Sequence, residues 1–77
     1  MSLSEIIKLT RKKAYLSQEE FASEINVSVA TINRWENNKT QPNNTAMKNI
    51  RIFCSKHELP FDELEREWLN QSLEGQK

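Results

Sequence analysis

The sequence predicts an all-α domain, and three observations point there. Glycine occurs once and proline twice in 77 residues, so little interrupts the chain. Leu, Ile, Glu, Lys and Gln are plentiful, and all are good to moderate helix formers. Apolar residues recur at helical rather than alternating spacing. A chain of this length makes one small domain with a marginal core, so helices must pack well or find a partner.

The first helix is expected over residues 4–14, capped by Ser4, with Ile6, Ile7 and Thr10 near one face. Arg11, Lys12 and Lys13 fall in its last turn, where the helix dipole favours cations. The second helix starts at Ser17. "SQEE" puts Glu20 three residues after Ser17, which is a capping box. Phe21, Ala22 and Ile25 then share a side, and small Ala22 lets another helix come close. Asn26 ends this helix, because asparagine tolerates the left-handed conformation of a sharp stop. Val27 can tuck into the core, and Ser28 caps a third helix over residues 29–37. Helix, tight turn and helix over so short a span is the spacing of a helix-turn-helix.

The third helix has two unlike faces. At about 100° per residue, Trp35 and Glu36 fall within about 60° of Ile32 and face inward. Ala30, Asn33, Arg34 and Asn37 fall about 100–200° away and face outward, with Val29 at the rim of the first turn. Small, amide and guanidinium side chains on one exposed face suit the reading of bases. Arginine pairs with guanine, asparagine with adenine, and Val or Ala packs on a thymine methyl. An ordinary solvated face is the plain alternative. The loop "ENNKTQPNN" follows. Asn44 or Thr45 is expected to cap a fourth helix through His57, with Ala46, Met47, Ile50, Phe53 and Cys54 inward. A fifth helix restarts at Pro60, with Asp62 as candidate cap and Phe61, Leu64, Trp68 and Leu69 as its apolar stripe. Residues 1–70 form the expected domain, and residues 71–77 a polar, frayed tail.

Gln18, Ala22, Asn26, Val27, Ile32, Trp35, Glu36, Asn37 and Lys39 together resemble the lambda-repressor-like (XRE) helix-turn-helix family, which includes phage repressors and Cro. The resemblance runs from about Leu3 to Leu69 and is densest in "SQEEFA" and "VSVATINRWEN". It implies a five-helix bundle whose third helix enters the major groove of double-stranded DNA. On this resemblance Val29, Ala30, Asn33 and Arg34 meet bases. Gln18, Ser28, Thr31, Asn37, Asn38, Lys39 and Thr40 meet the DNA backbone. Arg11 pairs with Glu36 as a structural ion pair, which agrees with the inward angle of Glu36. Three departures stand out. Asn26 and Asn38 replace usual glycines, Tyr15 stands where a glycine commonly ends the first helix, and Val29 and Ala30 replace polar reading residues.

The resemblance implies a cytoplasmic transcriptional regulator, a repressor by occupancy, with a homodimer as one expected partner. Other readings share the fold. An antitoxin would meet a protein partner through the acidic last helix, and an interaction module would have lost DNA binding. Formal net charge is zero, but residues 1–57 carry nine basic and five acidic groups, and residues 58–77 two and six. A basic body with an acidic end is compatible with one face meeting phosphate.

No enzyme is expected. His57 and Cys54 are the sole residues of their kinds, three apart, with nothing to orient a base or form an oxyanion site. No metal or cofactor motif is present, and Gly75 alone cannot make a phosphate loop. Residues 1–10 show no signal peptide, and no stretch approaches the roughly 20 apolar residues of a membrane span.

Overall fold

The computed structural model describes residues 1–74. Five helices follow in order: α1 (Leu3–Lys13), α2 (Gln18–Glu24), α3 (Val29–Glu36), α4 (Asn44–Lys56) and α5 (Asp62–Glu74), with no strand among the described residues. α2 packs on α3, and α1 packs on both α3 and α5. Among the described residues no helix is long and apolar enough to cross a membrane.

Each start has a local cause. α1 begins one residue earlier than expected, and its cap is Ser2 rather than Ser4. Ser2 Oγ accepts from the Glu5 amide at 3.3 Å, and Glu5 Oε1 accepts from the Ser2 amide at 2.9 Å. This box puts Leu3 into the core. Donation to Glu5 Oε1 from the Ser2 amide, and from the Ser2 hydroxyl at 2.9 Å, holds the Glu5 carboxyl below its ordinary range. α2 has the expected box, with Ser17 Oγ 3.1 Å from the Glu20 amide. Ser28 caps α3 through the Thr31 amide. Asn43, not Asn44 or Thr45, caps α4, its Oδ1 accepting from the Ala46 amide at 2.8 Å. Asp62 is the first residue of α5 rather than its cap. With Glu63 and Glu65 it lies in the first turn, where the dipole favours carboxylates. α5 continues to Glu74, past the boundary expected at residue 70, and residues 75–77 of the expected tail lie outside the described residues.

The stops repeat one device. Tyr15, Asn26, Asn38 and Glu58 have φ of 60°, 60°, 59° and 56°. After each, the next amide reaches back five residues: Leu16 to Arg11 O, Val27 to Ala22 O, Lys39 to Arg34 O and Leu59 to Cys54 O. These are Schellman stops, usually made with glycine, and here all four are made without it. Leu16, Val27 and Leu59 then pack against the core. The fourth, Lys39, is exposed. Tyr15 thus makes the same left-handed stop a glycine would, so that corner does not depart in backbone. Its side chain is 94% exposed and gains little for it. Tyr15→Gly should stabilise the protein by about 0.5–1 kcal/mol, because relief of the left-handed cost exceeds the added freedom of the unfolded chain. A raised urea midpoint at unchanged slope is the result to look for; a lowered one would refute the balance.

The core joins Leu3, Ile6 and Ile7 of α1 to Phe21, Ala22 and Ile25, to Ile32 and Trp35 of α3, to the α4 stripe and to Leu64. Phe21 meets Phe53 edge-on at 4.9 Å. Cys54 is enclosed there, and burial pushes its thiol up to about 11. A thiol reagent at neutral pH should therefore label the native protein far more slowly than the urea-unfolded chain. Equal rates would show that the core opens freely at this point.

Candidate nucleic-acid interface

The turn between α2 and α3 is fixed from beneath. Ile32 and Trp35 are buried, so α3 turns one face down. Glu36 follows them inward, and its side chain is 3% exposed. A carboxylate so placed needs partners. Arg11 supplies two, Nε to Oε2 at 2.7 Å and Nη2 to Oε1 at 3.0 Å, in a forked pair. Gln18 Nε2 adds a third bond to Oε1 at 3.1 Å, and Arg11 Nη1 also donates to Leu16 O. The Glu36 hydrogen bonds raise the Arg11 guanidinium above its ordinary value against the opposing cost of burial. One cluster thus ties the ends of α1 and α3 and the start of α2. Asn49 of α4 ties the fourth side, donating to Ile25 O where α2 ends.

This leaves the opposite face of α3 open. Val29, Ala30, Asn33 and Arg34 are all exposed on it. Ser28 and Thr31 lie at its start, their hydroxyls 2.9 Å apart. Asn38, Lys39 and Thr40 form the exposed loop at its end. Gln18 is half-buried and engaged with Glu36, so it braces α3 in the free protein. Asn37, grouped in sequence with the backbone-contacting residues, turns its amide back onto Asn33. Arg34 and Lys39 make no ion pair among the described residues, while the one acid of α3, Glu36, is matched by Arg11. The exposed face is therefore cationic without any unmatched carboxylate of its own. Of the four residues that follow the left-handed stops, Lys39 is the one that is charged rather than apolar, and it stands in the loop just after α3.

Two supports escaped sequence reasoning. Trp68 Nε1 donates to Pro42 O at 2.7 Å, anchoring the loop after α3 to α5. A half-buried indole needs an acceptor, but nothing in the sequence says where it lies. Asn49 could have been noticed as an amide beside the inward stripe of α4.

The last helix is less available than its apolar stripe suggested. Leu64 is buried, Phe61 and Trp68 are half-buried, and Leu69 remains 47% exposed. Phe61 and Trp68 line a shallow cleft of about 270 Å³ with Met47, Lys48, Arg51 and Glu65. His57 Nε2 lies 2.9 Å from Glu24 Oε1, and its ring packs at a tilt against Phe53, centroids 4.3 Å apart, rather than pairing with Cys54. This contact, with Lys56 at 3.6 Å, lowers the Glu24 carboxyl. Among the described residues no group of His, Cys, Asp and Glu could hold a metal ion.

Five helices with α2 and α3 crossing at a tight, glycine-free turn, and a polar face of α3 held outward, define a helix-turn-helix domain. The helix-turn-helix family model matches residues 7–54, and the chain belongs to that family, of the lambda-repressor-like (XRE) type. The match takes in α2 and α3 whole. Among curated proteins and solved structures, nothing matches the chain.

Proposed function

We propose that this protein binds double-stranded DNA in a sequence-specific way and regulates transcription by occupying its site. α3 lies in the major groove, and Val29, Ala30, Asn33 and Arg34 meet base edges. Ser28, Thr31, Asn38, Lys39 and Thr40 flank the groove near phosphates, and Gln18 steadies the approach. The observation that carries this reading is the two-sided α3. Its inner face is locked by Ile32, Trp35 and the Arg11–Glu36–Gln18 cluster, and its outer face carries free hydrogen-bonding groups. A recognition helix needs both, because base readout requires side chains held at a fixed depth and angle. Apolar Val29 and Ala30 suit thymine methyl groups, which leaves Asn33 and Arg34 to supply the polar discrimination.

Selection from random duplex DNA at two salt concentrations tests this. An enriched motif that survives the higher salt supports the reading. Two half-sites centred about 34 Å apart would add a symmetric dimer. Retention without a motif, lost steeply with salt, would leave phosphate attraction alone. No retention at either salt would refute DNA binding.

A further inference from the structure

Asn33 and Asn37 stand one helical turn apart at the exposed end of α3. The Asn37 Nδ2 donates to the main-chain oxygen of Asn33 at 2.9 Å and to its Oδ1 at 3.2 Å. A single nitrogen that reaches both oxygens of one residue sits on the backbone side of that side chain. That bond occupies one acceptor position of Oδ1 and ties the amide oxygen to a fixed partner. An amide oxygen has a second lone pair, and the neighbouring NH2 has its own donors. Asn33 Nδ2 has no partner among the described residues. What Asn33 turns outward is therefore one acceptor beside one donor, in a set order.

Adenine is the base whose major-groove edge answers that pattern, with the N6 amino group donating and N7 accepting. Guanine shows two acceptors there, and one of them would face Oδ1. An untied amide can rotate by half a turn and exchange its two ends, so the match would be lost in part of the population. We propose that Asn37 is a positioning residue that sets the amide of Asn33 for adenine, rather than a phosphate contact. The inference rests on the DNA-binding reading above and assigns one base pair within it.

The test compares wild type, Asn33→Ala, Asn37→Ala and the double variant. Each goes through the same duplex selection, followed by affinities on the selected duplex and on one changed at the Asn33-dependent pair. Both side chains are exposed, and a thermal melt of each variant checks its folding. The wild-type motif should hold an A·T pair that Asn33→Ala erases. Asn37→Ala should reduce discrimination at that same pair, and at no other, by about 3–10-fold, less than the loss of the whole bidentate contact. The double variant should discriminate no worse than Asn33→Ala alone, as coupled residues do. Asn37→Ala weakening both duplexes equally, and adding to Asn33→Ala, would make Asn37 a phosphate contact and overturn the proposal. A G·C pair preferred at the Asn33-dependent position would overturn it too. A wild type that selects no motif removes the proposal together with DNA reading, whereas an unchanged motif in Asn37→Ala removes the proposal alone.

Discussion

Arg11→Ala should destabilise the protein by about 3–5 kcal/mol, the usual cost of leaving one partner of a buried pair alone. Glu36 would keep its place under α3, 3% exposed, with one bond from Gln18 in place of three. Small domains have little margin, so this change takes a large part of the total. The cause can be separated from lost packing. Replacing both partners at once, Arg11→Met with Glu36→Leu, should cost much less than Arg11→Ala, because no charge is then stranded. Urea unfolding of the two variants beside wild type reads the difference. A single variant within about 0.5 kcal/mol of wild type would mean that the pair is as weak as an exposed salt bridge. The repaired double variant also bears on function. If it folds as well as wild type but binds DNA worse, the cluster sets the angle of α3 beyond holding it in place.

The second large effect is on recognition. Arg34→Ala should cost on the order of 1–3 kcal/mol on the selected duplex, and the preference should relax at one base pair. Lys39→Ala should instead weaken all duplexes alike and reduce the salt slope by about one. The contrast follows from place. Arg34 stands on the open face of α3, whereas Lys39 stands in the loop that ends it. If Arg34→Ala selects the same motif as wild type, that side chain does not read bases.

Much of this was legible in the residues, for reasons that differ. The box at Ser17 and Glu20 and the stop at Asn26 are local chemistry, and the chain obeys them. The same box at Ser2 and Glu5 was equally legible, but Ser4 offered a competing cap and hid it. Helical angles alone turned Ile32, Trp35 and Glu36 inward, and the need of a buried carboxylate for a partner followed; that Arg11 fills it came from the family resemblance. Tyr15 was opaque. No propensity places tyrosine in the left-handed region, and what holds it there is the burial of Leu16 and its amide bond to Arg11 O. The tie from Trp68 to Pro42 spans 26 residues and is set by packing that sequence periodicity cannot express. The Asn33–Asn37 bond lies between those cases. Its spacing is plain from the sequence, but the turn of the amide is a matter of coordinates.

The glycine-free stops also divide the molecule by how readily its parts come apart. The corners on either side of α3 use asparagine, which accepts the left-handed shape at small cost, while those after α1 and before α5 use tyrosine and glutamate, which do not. The inner corners are therefore near rest and the outer ones are held closed by their neighbours. α1 leans on α5 but is also tied to α3 through Arg11 and Glu36, so α5 should peel away by itself while α1, α2 and α3 stay together. Amide hydrogen exchange would then find two tiers of protection, with the lower tier in α5.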